Sequence, residues 1–263
     1  MGRAALVLAA LVLTGASAAS CGGSAQRLAP AAKAARSPPL DRAPAGHVVP
    51  VGHEPEGLAV DPVTGLVAVG LTGPDRLALL DGDTGRTVRR VRFTETPRRL
   101  ELGAASVAIT ADGDHRGVVR PRERALEVFD TRRRGSAGKL SVGIGPTHVV
   151  GGGGRFFVVD TRGNALLEVR LDPLRVHRRT QLGGRPYGIA ADAERRRYWV
   201  TLTARNEVAE LTDHRVLRRF PTVRQPNSVA VDPRSGRVFV AGRRDGTLQF
   251  FDPPPCRGKE CDG

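Results

Sequence analysis

The amino-acid sequence predicts an all-β fold made of a repeated unit of four short strands. Three observations support this prediction: a Pro recurs along the chain, short apolar runs of alternating or β-branched residues follow it, and each third run ends at an Asp. No stretch after residue 46 has the apolar period of a helix. The recurring prolines are Pro55, Pro97, Pro146, Pro186 and Pro226, at intervals of 42, 49, 40 and 40 residues.

The chain begins with a segment typical of an export signal, residues 1–20. Arg3 supplies a positive charge, the ten residues 4–13 are apolar without interruption, and small residues follow. A membrane-spanning helix needs about 20 apolar residues, so this stretch is too short to be one. We therefore predict a signal peptide.

Residues 18–21, Ala-Ala-Ser-Cys, resemble the lipobox of bacterial lipoproteins, with Ala18 where Leu is usual. The resemblance implies that Cys21 is lipidated and becomes the first residue of the mature chain. A diacylated Cys attaches a protein stably to a bilayer, which implies a location on the extracytoplasmic face of the cell membrane. A plain secreted protein and a buried thiol are the alternatives.

Residues 21–46 are rich in Ala, Pro, Gly, Ser and Arg and contain hardly any large apolar side chain. Such a composition cannot bury a core, so the segment is predicted to be a flexible tether. The folded domain is expected to span residues 47–252.

Within that domain each repeat is predicted to contain four strands, separated by Gly, Asn, Asp and Pro. The expected first strands are 57–60, 100–102, 148–150, 188–191 and 228–231, and the second strands are 66–71, 106–110, 156–159, 198–202 and 238–241. The expected third strands are 77–80, 125–129, 165–171, 207–211 and 247–251, and the fourth strands are 87–92, 140–142, 176–182 and 216–220.

The fifth repeat has no fourth strand of its own, because Asp252 is followed by three prolines, which cannot donate hydrogen bonds to a ladder. Residues 47–51 form an unassigned strand that would complete the last repeat from the N-terminal side. Pro50 is acceptable there, since an outermost strand has one unpaired edge. Four short strands about every 41 residues are typical of propeller blades. The sequence thus predicts a five-bladed β-propeller closed by an N-terminal strand, with blades starting near residues 55, 97, 146, 186 and 226.

The regular repeat also resembles a known family. Its sequence PYGIAAD (186–192), followed by YWVT (198–201) and RNEVAEL (205–211), is similar to the YVTN-type repeat, a relative of NHL-type propeller repeats. The stretches EPEGLAVDP (54–62) and QPNSVAVDP (225–233) match as well. The resemblance implies the fold and leaves the activity open, because such propellers host many functions.

In a propeller, the links between blades and the turns between second and third strands surround one mouth of the central channel. The residues just after the recurring prolines are expected there, in a polar ring of mixed charge. Such a ring could bind a small anionic or hydroxylated ligand, or it could only cap the strands and hold water. The candidates are Glu56, Arg98, His148, Tyr187 and Asn227.

The second repeat is 49 residues long instead of 40, and the surplus is assigned to a loop, residues 111–124, over the same mouth. Loops on a rigid scaffold often carry function, and the Arg fork suits a carboxylate or phosphate. A solvated run of charges is the alternative. The ligand-binding candidates in this loop are His115, Arg116 and Arg120.

The tail, residues 253–263, contains Cys256 and Cys261. In an exported chain, two Cys so close predict a disulfide; the alternative is a metal pair, but no His or further Cys is nearby.

The formal charge of +14 is carried almost entirely by Arg. Nucleic-acid binding is one interpretation of such basicity, but an exported chain meets no nucleic acid. A solvated Arg-rich surface is favoured, with some attraction to anionic lipid headgroups or acidic envelope polymers.

No complete catalytic motif is present: neither Gly-x-Ser-x-Gly nor His-Glu-x-x-His occurs. No catalytic residue, metal or cofactor is therefore assigned. Glu56 and Asn227 are similar to metal ligands of the gluconolactonase and regucalcin family, but Arg98 and Tyr187 stand where that family has further ligands. The sequence predicts a binding or scaffold module for an unidentified protein, polymer or small molecule, with a metal-dependent lactonase- or lyase-like enzyme as the alternative.

Overall fold

The computed structural model describes residues 30–72, 77–92, 106–110, 112–212 and 215–255. Apart from one short 3-10 turn, Thr203–Arg205, the regular elements in this part of the chain are β-strands. None of its elements is a helix long and apolar enough to cross a membrane. The fold is therefore all-β, as predicted.

The strands form five four-stranded antiparallel sheets in the described residues. The first strand of the chain is β1 (His47–Pro50). Sheet 1 contains β2 (Leu58–Val60), β3 (Leu66–Gly70), β4 (Leu77–Asp81) and β5 (Thr87–Val91). Sheet 2 contains β6 (Ser106–Ile109), β7 (His115–Arg120), β8 (Ala125–Asp130) and β9 (Gly135–Ser141). Sheet 3 contains β10 (Pro146–Gly152), β11 (Arg155–Asp160), β12 (Ala165–Leu171) and β13 (Leu174–Gln181). Sheet 4 contains β14 (Pro186–Asp192), β15 (Arg197–Leu202), β16 (Glu207–Leu211) and β17 (Val216–Pro221). Sheet 5 contains β18 (Pro226–Val231), β19 (Val238–Gly242), β20 (Thr247–Phe251) and β1.

The N-terminal strand β1 completes the last sheet. It pairs antiparallel with β20, with His47 opposite Phe250 and Pro50 opposite Thr247. Pro50 lies on the outermost strand, where its missing N–H costs no ladder hydrogen bond. The strand thus takes the position that the sequence predicted.

The first strands of the sheets lie side by side, β6 next to β10, then β14, β18 and β2. Their backbones approach closely: a Cβ on Gly188 would lie 2.5 Å from the carbonyl oxygen of Asn227, so only Gly fits there. The backbone N–H of Gly57 donates a hydrogen bond of 2.9 Å to the Ser228 hydroxyl, which joins sheet 1 to sheet 5.

The core lies between neighbouring sheets. Four apolar clusters fill the interfaces of sheets 2 and 3, 3 and 4, 4 and 5, and 5 and 1. Large fully buried side chains in them include Phe156, Trp199 and Phe239. Removal of apolar surface from water contributes about 25 cal/mol per Å². Since the buried apolar side chains lie between neighbouring sheets, the packing of each sheet on its neighbour is a main source of stability.

The second sheet differs from its prediction. Residues 106–109 form its first strand instead of its second, and the predicted loop 111–124 contains the strand β7. Burial alternates along β7, with Gly117 and Val119 buried and Arg116 exposed. The prediction of a long loop over the channel mouth at residues 111–124 is therefore wrong. The surplus residues of this repeat fall between β5 and β6, and most of that link, residues 93–105, lies outside the described residues.

Residues 30–46 differ from the predicted flexible tether. We call this segment the N-terminal strap, because it runs across the sheets and is bonded to them. The Ser37 hydroxyl donates to the Thr203 carbonyl (2.6 Å) and accepts from the Gln225 N–H (2.8 Å), and Ala32 is buried. The packed part of the chain thus begins before His47.

Several predicted features lie outside the described residues: the signal peptide 1–20, Cys21, the expected strand 100–102, Arg98, and the pair Cys256 and Cys261.

Candidate functional site

The candidates next to the recurring prolines stand at the start of the first strands. Tyr187 and Asn227 are the second residues of β14 and β18, His148 is the third of β10, and Glu56 precedes β2. Since these strands lie side by side, their starts converge at one end of the sheets. Four of the five predicted mouth residues are thereby brought together, and the fifth, Arg98, is not described.

His148 and Tyr187 are in direct contact. Their rings meet edge to face, with centroids 4.8 Å apart. Burial lowers the pKa of His148 from its ordinary value of 6.5 to about 4, although a hydrogen bond to the Tyr187 backbone partly opposes the shift. The imidazole is therefore neutral at pH 7. Its Nδ1 atom is buried and has no hydrogen-bond partner among the described residues.

Tyr187 is half-buried, and burial raises the pKa of its hydroxyl. The negative charge of Glu56 raises this pKa further, while the positive charge of Arg243 lowers it. The phenol consequently keeps its proton at neutral pH and can donate a hydrogen bond.

Arg243 is a site residue that sequence reasoning missed. Its guanidinium bonds the Glu56 carboxylate and also that of Glu54, the latter at 3.1 Å. It belongs to the turn between β19 and β20, which faces the mouth in the predicted topology. The Arg-Arg-Asp-Gly sequence of that turn, residues 243–246, was the available signal.

Asn227 is 2% exposed, and its side-chain oxygen Oδ1 has no hydrogen-bond partner in the described part of the chain. An unpaired buried acceptor costs about 1–3 kcal/mol, so this oxygen is a candidate atom for binding a ligand. The Thr147 hydroxyl on β10, by contrast, is 2.8 Å from that of Thr161, which donates to the Pro186 carbonyl at 2.7 Å. Those hydroxyls join sheets 3 and 4 and are already used.

The set therefore offers a neutral imidazole, a protonated phenol, a free amide oxygen and a cation balanced by two carboxylates. This arrangement suits the hydroxyl groups of a neutral ligand better than an anion, because Arg243 is already paired. Glu56, which the enzyme resemblance implied as a metal ligand, is held by the Arg243 guanidinium. Among the described residues, no group of three or more His, Cys, Asp or Glu side chains is placed to share a metal ion.

The three candidates of the second repeat do not form one cluster. His115 and Arg116 begin β7, whereas Arg120 ends it and pairs with Glu127. A strand rises about 3.3 Å per residue, so the two ends of this strand are roughly 17 Å apart. The grouping of His115 and Arg116 with Arg120 over the mouth is therefore wrong, because it relied on a loop where the chain forms a strand.

No protein-family model matches the chain, and no curated protein matches its sequence. The fold, however, is similar to solved structures. The β-propeller domain of Cps50 (Swd1) from Myceliophteria thermophila superposes with a TM-score of 0.62 at 12% identity, covering 79% of this chain and 98% of that one. A functionally unknown protein from Desulfotomaculum acetoxidans DSM 771 gives a TM-score of 0.49 at 15% identity, covering 76% and 70% of the two chains. Streptogramin B lyase gives 0.47 at 11% identity, covering 77% and 69%.

The first of these similarities shows that the chain has a β-propeller fold. At 12% identity it carries no information about activity.

Proposed function

We propose that this β-propeller chain is a lipid-anchored binding or scaffold module on the extracytoplasmic face of the cell membrane. Its ring would have five blades of the YVTN or NHL type, closed by β1. Five four-stranded sheets, four filled interfaces and the pairing of β1 with β20 support this arrangement. A closed ring also requires contact between sheets 1 and 2, and most of the link between them lies outside the described residues.

The proposed anchor is a lipid on Cys21, and it is supported by the lipobox-like residues 18–21. Cys21→Ala should release the protein from the membrane fraction, which immunoblotting of fractionated cells measures. Cys256→Ala is the matched control, because it also removes a Cys and should leave the protein in the membrane fraction. Unchanged membrane retention of Cys21→Ala would contradict the anchor.

The proposed binding site is the cluster of His148, Tyr187 and Asn227 at the channel mouth, and its ligand is a small hydroxylated molecule. The observation that carries this proposal is the buried, unpartnered oxygen of Asn227, with the equally unpartnered Nδ1 of His148 as a second such atom. Both atoms would gain a partner from a ligand hydroxyl.

A titration of the purified protein with neutral monosaccharides, and separately with inorganic phosphate and citrate, tests this site. We expect calorimetric binding of at least one sugar, weakened at least tenfold by Asn227→Ala and by Tyr187→Phe. Ser136→Ala, an exposed position on β9, is the control that should bind normally. Binding of the anions alone would favour an anionic ligand. Sugar binding that is unchanged in both Asn227→Ala and Tyr187→Phe would refute the assignment of the site.

The alternative, a metal-dependent lactonase- or lyase-like enzyme, rests on the similarity of Glu56 and Asn227 to metal ligands. Metal analysis of the purified protein separates it from the binding module. A stoichiometric divalent ion that is lost in Glu56→Ala would overturn the non-catalytic proposal.

A further inference from the structure

The N-terminal strap lies on a single face of the propeller. Arg162, in the turn between β11 and β12, donates to the carbonyl of Ala31 at 3.4 Å. Asn206, in the turn between β15 and β16, donates to the carbonyl of Pro38 at 3.0 Å. Both turns join second and third strands, so the strap lies on the face that bears the candidate ligand site. We call it the strap face.

The strap then follows this face outward to the start of β1. Arg42 pairs with Glu207 at 2.8 Å, and the N–H of Ala45 donates to the Pro221 carbonyl at 3.0 Å. The chain therefore arrives at the domain over the strap face, crosses sheets 3 and 4, and enters sheet 5 at its outer edge.

The distance from this face to the proposed anchor is short. Only nine residue steps separate Cys21 from Pro30, the first described residue of the strap. Even fully extended, they span about 30 Å at 3.3–3.6 Å per residue. A folded domain of this length is about 40–45 Å across. The segment is thus shorter than the domain is wide, so it keeps the start of the strap, and with it the strap face, close to the proposed anchor.

The distribution of charge between the two faces also favours the strap face as the one nearer the membrane. On the strap face, seven exposed cations have no carboxylate partner among the described residues: Lys33, Arg36, Arg122, Arg124, Arg185, Arg205 and Arg244.

On the opposite face, where the turns join first to second and third to fourth strands, several arginines are neutralised locally. Arg132 pairs with Asp114 at 2.7 Å, Arg195 with Asp192 at 3.2 Å, and Arg237 with Asp252 at 2.8 Å. In the described turns of this face, the exposed arginines without a carboxylate partner are Arg86, Arg134 and Arg196, against seven such cations on the strap face. The larger number of unpaired positive charges therefore lies on the face that the short N-terminal segment holds toward its anchor.

We propose that the strap face docks on an anionic lipid bilayer, so that the channel mouth is turned toward the membrane. Lysine and arginine side chains close to an anionic leaflet are attracted to it within about one Debye length. The lipid anchor in this arrangement rests on the proposed function, whereas the attraction of the face to anionic lipid does not.

Two charge-reversal variants of the full chain test the proposal, both carrying Cys21→Ser so that no lipid contributes. One combines Arg122→Glu, Arg185→Glu and Arg205→Glu on the strap face. The matched control combines Arg86→Glu, Arg134→Glu and Arg196→Glu on the opposite face, where these side chains are also exposed. Both change the net charge equally. Co-sedimentation with vesicles of phosphatidylglycerol and phosphatidylcholine measures binding, and Trp199 fluorescence checks folding.

We expect the Cys21→Ser parent to bind the anionic vesicles and to be released by salt. The strap-face variant should bind at least tenfold more weakly, and the control less than twofold. Equal loss in both variants, or equal binding to pure phosphatidylcholine, would overturn the docking proposal. So would soluble polyglutamate that competes as well as the vesicles do, because the partner would then be an acidic polymer.

Failure of the anchor gives a different result. If the native Cys21 chain is found outside the membrane fraction while the two variants still differ on vesicles, the anchor is wrong and the docking face stands. If the native chain is anchored and the variants do not differ, the anchor stands and the docking face is wrong.

Discussion

At the residue scale, Asn164 and Asn206 show why the repeat contains an Asn after its second strand. Both adopt left-handed backbone conformations, with φ of 55° and 51°, which Asn tolerates better than most residues. Their side-chain oxygens accept hydrogen bonds from the backbone N–H groups of Arg185 and Gln225, at 3.0 and 3.2 Å. Each Asn thus ends its own turn and binds the link that leads into the next sheet.

A single residue, His148, also makes the stability of the fold depend on pH. The pKa of His148 is lowered in the folded state, so the unfolded chain takes up a proton first as the pH falls. Stability should therefore be complete above pH 6.5 and be lost between about pH 6.5 and pH 4. The loss from this group is on the order of 3 kcal/mol at most, at about 1.4 kcal/mol per pKa unit.

We expect His148→Gln to flatten this dependence, because a neutral amide has no proton to gain. Urea unfolding at pH 7.0, 5.5 and 4.5, followed by Trp199 fluorescence, measures the difference. His53→Gln, at an exposed position, is the control. An unchanged slope in His148→Gln would show that His148 is not the group responsible.

At the element scale, β7 shows how a strand can be hidden in a sequence that looks like a loop. Gly117 lowers the strand propensity of the segment, and its charged flanks obscure the alternation. In the fold, Gly117 faces the ring of Phe156 from sheet 3, where a Cβ would lie 2.9 Å from the nearest ring carbon. The Gly is therefore the residue that allows sheet 2 to pack on sheet 3.

Gly117→Ala should consequently destabilise the domain. An added methyl group against a buried ring overpacks the interface, and we expect a loss of about 1–3 kcal/mol in the free energy of unfolding. Gly135→Ala is the matched control, because its Cβ would meet only the Arg133 carbonyl at an ordinary 3.8 Å. Denaturant unfolding of both variants measures the contrast, and equal stability would exclude a packing role for Gly117.

At the scale of the whole molecule, β1 ties the start of the domain to its end. The chain reaches it through Gly46, which has a φ of 68° and whose added Cβ would overlap the Phe250 carbonyl oxygen. Val51, directly after β1, is fully buried in the cluster between sheets 5 and 1. Detachment of β1 would thus open an interface as well as a sheet edge.

We expect Gly46→Ala to weaken the entire domain, beyond the roughly 1–2 kcal/mol that a left-handed Ala costs by itself. Gly57→Ala is the control, since Gly57 also has a positive φ, 88°, but a Cβ there would meet nothing within 4 Å. Thermal unfolding followed by far-ultraviolet circular dichroism, to which the strands of every sheet contribute, reports whether the effect spreads. If the two variants lose the same stability, β1 does not close the fold.

Much of this architecture follows from the sequence, because strands and tight turns are specified by residues close together in the chain. The regular repeats predict sheets 1, 3, 4 and 5, and Pro253–Pro255 after β20 predict that the last sheet must take a strand from elsewhere. The proline spacing also predicted that Glu56, His148, Tyr187 and Asn227 lie at one end of the sheets. Local periodicity was sufficient for all of these.

Three features were decided only by the tertiary structure, because each depends on partners distant in sequence. β7 becomes a strand by pairing between β6 and β8, against the preference of its own residues. The N-terminal strap is held by the turns of sheets 3 and 4, although its composition predicts no packing of its own. Arg243 joins Glu56 across 187 positions of chain, and this contact balances the charge at the mouth. The sequence by itself determined the repeat and the N-terminal strand that completes the last sheet, whereas long-range contacts decided which groups remain free to bind.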